Sequence, residues 1–191
     1  VTKKDLSVYT IKKSNVLIDG EEISAEQFAL QLAVKAAVKK FKTKKVFTFH
    51  HRCSSASSFV KKENPEGIQR HLKNFYTGYV DGAMSMSNRT DIMSLFKDHE
   101  KSLVSNARCL VEGVNVPAVD MVVFVDPKKS KTDIAQAAGR AMRIRNLPNK
   151  KMGYILIPLF IESFRGEKVK EASGRTGFDE VLSTLRGLSQ F

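Results

Sequence analysis

Short apolar runs alternate with helical patterns along most of this chain, and this alternation constrains the fold more than any other feature. The apolar runs predict five strands, at residues 45–50, 76–80, 102–105, 121–125 and 154–159. Strands that are separated by helices favour a parallel sheet whose two faces are both covered. The sequence therefore predicts one α/β domain over residues 1–191, a parallel sheet flanked by helices on both faces.

The segments between these runs carry helix signals. Ser24 is a predicted N-cap, with Gln27 three residues on, for a helix over 24–42. Its predicted buried face comprises Phe28, Leu32, Ala36 and Phe41. A second helix is predicted to start at Ser54 or Ser55, and a third to follow the break at residues 64–67 and end at about residue 74. A fourth is predicted over 87–96, with Ile92, Leu95 and Phe96 facing inward. The last two are predicted to start at a cap at Ser130 and to span 178–188. Residues 1–20 are predicted as a lead-in and residues 162–176 as a mobile loop.

The composition indicates a polyanionic partner. Lys and Arg number 32 against 20 Asp and Glu, a net charge of +12, and 42% of the residues are apolar. Such a charge favours nucleic acid, although a merely soluble basic surface remains the alternative.

Cys53 and Cys109 lie in unrelated contexts, so neither a disulfide framework nor a zinc site is expected. With no signal peptide or membrane-spanning run, we expect a cytoplasmic protein without membrane contact. The chain opens at Val1 and is expected to be part of a longer protein.

One run in the last third of the chain carries unusual chemistry. Gln136, Arg140 and Arg143 are spaced i, i+4 and i+7, and Gly139 lies between them. On an α-helix the three polar side chains fall within about 60° of one another. Guanidinium groups stay charged and offer a planar fork that suits phosphate oxygens. A solvated helix face is the alternative, and the neighbouring sequence argues against it.

The residues before this run complete a longer pattern. Residues 112–120 read Glu-Gly-Val-Asn-Val-Pro-Ala-Val-Asp, and Ser130 and Asp133 precede Gln136 at fixed spacing. Together they resemble the fifth and sixth motifs of superfamily-two helicases and translocases. The likeness is closest to the restriction-type and predicted-helicase branches, whose pattern is E-G-x-D/N-x-P-x-x-D followed by S-x-x-D-x-x-Q-x-x-G-R-x-x-R. The resemblance implies a single RecA-like domain, the second of the two in such a motor.

The resemblance also implies roles at an ATP site. Arg140 and Arg143 match arginine fingers, and Gln136 matches the residue that binds the γ-phosphate or the attacking water. Gly113, Asn115 and Gly139 match nucleotide-binding positions, although the family more often has Asp where this chain has Asn115. The 191 residues contain no Gly-x-x-x-x-Gly-Lys-Ser/Thr phosphate loop. The implied cofactor is therefore ATP with Mg²⁺, its metal ligands are expected on a first domain, and this chain alone is expected to be inactive.

Other matches imply contacts with a nucleic-acid backbone. Ser105 and Asn106 begin the fifth motif and match phosphate-contacting residues, with ordinary loop capping as the alternative. Arg52 and Ser54 match the fourth motif at a helix start, where main-chain N–H groups favour an anion. Arg89 follows Asp81 and is expected either on a phosphate or in a surface ion pair. The adjacent residues His50 and His51 have no further ligand at suitable spacing, so no metal site is expected.

The reading that combines these matches is the second motor domain of an ATP-dependent helicase or translocase. Its implied partners are nucleic acid, with DNA favoured over RNA, the N-terminal RecA-like domain of the same protein, and restriction-system subunits. The alternative is a catalytically idle module on the same fold that binds nucleic acid or serves as a platform for subunits.

Overall fold

The architecture comes from a computed structural model that describes residues 16–18, 20–63, 67–107, 119–125 and 153–158. Seven strands, three α-helices and one 3₁₀ turn lie in these ranges. In chain order they are β1 Val16–Ile18, β2 Glu21–Ile23, α1 Ala25–Phe41, β3 Lys45–His50, α2 Cys53–Val60, the 3₁₀ turn Ile68–Arg70, β4 Tyr76–Asp81, α3 Met86–Asp98, β5 Ser102–Ala107, β6 Met121–Phe124 and β7 Tyr154–Leu156.

Five of the strands form one parallel sheet in the order β4-β5-β3-β6-β7. These are the five strands that the apolar runs predict. β1 and β2 pair separately as an antiparallel hairpin, which the sequence pattern does not predict. Gly20 lies between them at φ +84°, a left-handed conformation that glycine adopts without strain.

Both faces of the sheet are covered. On one face, α3 packs on the strands through Met93 and Phe96, next to Phe47, Val104 and Val122. On the other face lie α1, α2 and the segment after α2, with a core that includes Leu30, Val34, Val38, Phe59, Leu72, Phe75, Val46 and Leu103. Every residue of β5 and β6 is buried, as expected for central strands with both faces covered. The predicted α/β class is confirmed.

Helix α1 begins as predicted but buries a different face. The Ser24 hydroxyl accepts a hydrogen bond from the Gln27 N–H at 3.2 Å and donates to Gln27 Oε1 at 3.0 Å. The predicted inward residue Leu32 is 39% exposed, whereas Leu30, Val34 and Val38 are buried. Phe41 of the predicted face does pack against the core, but the buried stripe of the helix runs through Leu30, Val34 and Val38.

Two other helix predictions need correction. The predicted helix up to residue 74 is a single 3₁₀ turn, because Leu72 and Phe75 turn into the core and the Phe75 N–H bonds to the Leu72 carbonyl at 2.9 Å. In α3, Leu95 is 43% exposed and Met93 takes the inward position beside Phe96.

At the amino edge of the sheet, Asp120 joins β3 to β6. Its Oδ2 accepts hydrogen bonds from the main-chain N–H groups of Lys44 at 2.8 Å and Lys45 at 2.9 Å. Its own N–H donates to the Lys45 carbonyl at 2.8 Å. Charge-assisted bonds of this kind are stronger than neutral ones. Asp120 closes the fifth-motif pattern, and here its side chain organises the sheet.

We expect Asp120→Ala to lower the free energy of unfolding by about 2 kcal/mol, because two main-chain donors lose their acceptor. Asp120→Asn keeps an acceptor oxygen and should cost about half as much. Urea titration followed by circular dichroism measures both values. Asp91→Ala, at an exposed position of α3, is the control and should change the free energy by less than about 0.5 kcal/mol. Equal stability of Asp120→Ala and the control would contradict the assigned role.

Candidate functional site

The carboxyl ends of three neighbouring strands meet at one edge of the sheet. β5 lies between β4 and β3, and Ala107 is in register with Asp81 on one side and with His50 on the other. The residues that follow β3 and β4, including Arg52 and Gly82, therefore share this edge. Open α/β sheets bind their ligands at the carboxyl ends of their strands.

The start of α2 presents an exposed, basic helix terminus at this edge. Arg52 is the N-cap, its side chain makes no capping hydrogen bond, and the first turn contains no acidic residue. Arg52, Cys53 and Ser54 are all exposed. The first N–H groups of a helix lack partners within the helix and attract anions. Arg52 and Ser54 thus lie together at an accessible helix start, although the helix begins at Cys53, one or two residues before the predicted start at Ser54 or Ser55.

The position of α2 is set by a buried histidine. His50 is 6% exposed, with Nε2 at 2.9 Å from Thr48 Oγ1 and Nδ1 at 3.1 Å from Ser55 Oγ. Its ring lies 5.1 Å from the ring of Phe59. These contacts join the end of β3 to the first turn of α2. Within the ranges that the structure describes, no three His, Cys, Asp or Glu side chains are grouped to hold a metal ion.

Ser105 and Asn106 occupy positions inside the sheet. β5 extends to Ala107, two residues past its predicted end, so both residues belong to the strand. Ser105 is fully buried and its hydroxyl donates to the Ala56 carbonyl of α2 at 2.5 Å. Asn106, on the opposite face of the strand, is 2% exposed. The Ser105 hydroxyl thus joins β5 to α2, and neither residue lies in a loop; the predicted phosphate contact of this pair stays a prediction.

Arg89 organises the turn between β4 and α3. Its Nη2 donates to the carbonyls of Asp81 and Met84, each at 3.1 Å. The Asp81 carboxylate accepts from the N–H groups of Ala83 at 2.9 Å and Met84 at 2.8 Å, and from the Tyr79 hydroxyl at 2.5 Å. The guanidinium is therefore directed to main-chain carbonyls of the turn, which neither sequence alternative anticipated.

The same contacts set the charge of this turn. The Tyr79 hydroxyl, the two N–H groups and nearby Arg89 together hold the pKa of the Asp81 carboxyl below its usual value. Burial and the hydrogen bond to Asp81 raise the pKa of the Tyr79 phenol. At neutral pH the pair is a carboxylate and a neutral phenol. The stabilisation from the Asp81 charge is complete above the usual carboxyl pKa and is lost as the pH falls through the lowered one.

The residues assigned to the ATP site lie outside the described ranges. They are Gln136, Gly139, Arg140, Arg143, Gly113 and Asn115. The predicted cap at Ser130, the loop at 162–176 and the helix at 178–188 lie outside them as well. Among the helices that the structure does describe, none is both long enough and apolar enough to span a membrane.

Sequence comparison identifies the family. Residues 29–145 match the helicase conserved C-terminal domain, which is more than half of the chain. A relative in Saccharomyces cerevisiae, the candidate ATP-dependent helicase IRC3, is 29% identical over 89 residues, which is 46% of this chain and 13% of that protein. The chain therefore spans about an eighth of the length of this curated relative.

Solved structures agree on the fold. The ATP-dependent type ISP restriction-modification enzyme LlaBIII, solved bound to DNA, superposes with a TM-score of 0.66 and 21% identity over 87% of this chain and 12% of that one. The C-terminal domain of the DEAD-box protein Dbp5 superposes with a TM-score of 0.52 and 15% identity over 72% of each chain. At these identities the likeness concerns the fold, which is RecA-like as predicted. The chain belongs to the helicase conserved C-terminal domain family, the second RecA-like domain of superfamily-two helicases.

Proposed function

We propose that this chain is the second motor domain of a larger ATP-dependent helicase or translocase that moves on nucleic acid. The observation that carries the proposal is the family match over residues 29–145, which takes in both the fifth-motif pattern and the run from Gln136 to Arg143. A module without motor function would need no γ-phosphate ligands, and this chain retains a glutamine and two arginines at the spacing that such ligands require.

The proposed chemistry at the ATP site is stabilisation of charge. ATP with Mg²⁺ binds on a first domain, which supplies the phosphate loop and the metal ligands. When the two domains close, Arg140 and Arg143 reach the γ-phosphate and stabilise the charge that develops during phosphoryl transfer. Gln136 binds the γ-phosphate or orients the attacking water, and Gly113, Asn115 and Gly139 line the nucleotide.

The proposed nucleic-acid contact is the exposed start of α2. Arg52 and Ser54 bind a backbone phosphate there, together with the first N–H groups of the helix. The bonds from His50 to Ser55 and from Ser105 to Ala56 hold this helix in place, so binding requires little rearrangement. Ser105 thus contributes by positioning the helix. DNA is the favoured polymer because LlaBIII, which shares the fold over most of this chain, was solved bound to DNA.

We expect the 191-residue chain to bind single-stranded or duplex DNA weakly, with an affinity that falls steeply as salt rises. Phosphate contacts release counterions, and each contact adds close to one unit to the slope of log affinity against log salt. Arg52→Glu should weaken binding by about tenfold and reduce that slope by about one to two units. Fluorescence anisotropy at several salt concentrations measures both quantities.

Lys97→Glu is the matched control, because Lys97 is an exposed cation in the last turn of α3, near the opposite edge of the sheet. Its affinity should fall less than that of Arg52→Glu. Binding that is independent of salt, or an equal loss in the two variants, would contradict a phosphate contact at α2.

A further inference from the structure

A basic cavity, wide open to solvent, lies at the amino edge of the sheet, opposite the edge where the proposed motor contacts lie. Its volume is about 370 Å³, and residues 70–75, Lys35 and Lys101 line it. Lys35 projects from α1, Arg70 ends the 3₁₀ turn, and Lys101 immediately precedes β5. The cavity is thus formed where a helix, a turn and a strand start come together.

The wall of the cavity is anchored in the core. Leu72 and Phe75, 7% and 8% exposed, fix the segment between the 3₁₀ turn and β4. The Gln69 side chain donates to the Phe75 carbonyl at 3.1 Å, and the rings of His71 and Phe28 lie 6.0 Å apart. These contacts hold the lining residues in place before any ligand arrives, which lowers the entropic cost of binding.

The lining is strongly cationic. Lys35, Arg70, Lys73 and Lys101 contribute positive charge, and no Asp or Glu is among the described residues that line the cavity. The nearby carboxylate of Glu100 is ion-paired with Lys44 at 2.6 Å. Burial, followed by the charges of Lys35 and Arg70, lowers the pKa of the His71 imidazole. Four cationic side chains with no carboxylate among these described residues make the local potential positive, which favours an anion.

We propose that this cavity is a binding site for a phosphate-bearing anion, separate from the nucleotide and nucleic-acid contacts of the proposed motor. Its volume admits one or two phosphate groups, and because it is open to solvent it would hold them through charge rather than by enclosing them. A phosphate monoester or pyrophosphate carries more charge than a carboxylate, and a nucleic-acid backbone supplies one charge at each successive phosphate, so either balances several cations. The Arg70 guanidinium adds a fork that matches phosphate oxygens.

Inorganic pyrophosphate and a short single-stranded oligonucleotide are the two probes, because either free phosphates or a nucleic-acid backbone could supply the ligand. The oligonucleotide is titrated into chains that also carry Arg52→Glu, which weakens the separate contact proposed at α2. Isothermal titration at low salt with the full chain should show saturable binding of at least one probe. Lys35→Glu and Lys101→Glu should each weaken that binding by tenfold or more. Lys39→Glu, one turn further along α1 and outside the cavity lining, should change it by less than threefold.

His71 provides a second readout that does not depend on affinity. A bound polyanion stabilises the imidazolium, so saturating pyrophosphate should raise the pKa of His71, as followed by NMR of the ring protons. The probe whose binding is lost in Lys35→Glu identifies the source of the phosphate.

Three results would overturn the proposal: binding of both probes that is unchanged in Lys35→Glu and Lys101→Glu, an equal loss in Lys39→Glu, or tighter binding of a glutamate-rich peptide than of pyrophosphate. None of these outcomes depends on ATP turnover, so the site and the motor assignment can fail independently.

Discussion

Arg143→Ala in the full-length protein is expected to lower kcat for nucleic-acid-stimulated ATP hydrolysis by about 10³-fold or more. An arginine finger acts on charge that appears only in the transition state, so its loss lowers kcat and leaves ATP affinity largely unchanged. Arg140→Ala should behave in the same way. Coupled-enzyme assays at saturating nucleic acid measure kcat, and binding of a fluorescent nucleotide measures affinity.

Substitution by lysine separates charge from geometry. Arg143→Lys should fail to restore turnover, because a point charge does not reproduce the planar fork of the guanidinium. Arg145→Ala, two residues further on and outside the sixth-motif pattern, is the matched control and should keep kcat within about threefold of wild type. A folded Arg143→Ala protein with wild-type kcat would favour the idle binding module instead.

Gly78→Val is expected to lower the free energy of unfolding by about 3 kcal/mol, the largest structural effect that we predict. Gly78 lies in β4 where α3 approaches closely. A Cβ atom there would lie 2.9 Å from Ile92 Cγ2 and 3.0 Å from the Tyr76 hydroxyl oxygen. The Ile92 and Tyr76 side chains would both have to shift, and the Ile92 methyl branches from Cβ, so it can withdraw only by a rotamer change or a local shift of α3. Urea titration measures the change.

A double-mutant cycle tests this contact directly. Ile92→Ala removes the methyl group that a new side chain would meet. Gly78→Ala should therefore cost about 1 kcal/mol less in the Ile92→Ala background than in the wild-type protein. Additive costs would show that the approach of α3 does not require glycine.

Periodicity predicted the strands well and the helix faces less well. β3 and β4 lie within one residue of their predicted bounds, and the turn pair Asp81-Gly82 marks the end of β4 in the sequence. In α1, the stripe through Leu32 and the stripe through Val34 are both apolar, so spacing alone could not decide which faces the sheet. Only the packing against β3 and β5 makes that choice.

At the candidate site, the sequence indicated where a helix starts but not the contacts between residues that are distant in sequence. Arg52 and Ser54 lie at an exposed helix start because helix-start signals are local in sequence. Ser105 is buried because α2 packs over β5, and Asn106 is buried because β5 runs two residues past its predicted end and pairs with β3 and β4. The Asp120 carboxylate accepts a hydrogen bond from the main-chain N–H of Lys44, a residue far away in sequence, and only the pairing of the strands brings the two together. The alternation of Tyr79 and Asp81 on one strand face is the signal that could have revealed that hydrogen-bonded pair.

The most direct test of the motor assignment is a single-turnover measurement. Full-length wild-type and Arg143→Ala proteins, saturated with nucleic acid and in excess over Mg·ATP, are sampled by rapid quench, which separates the chemical step from product release. The assignment predicts equal ATP occupancy and a chemical step slower by about 10³-fold or more in the variant. An unchanged rate of the chemical step at equal occupancy would contradict it.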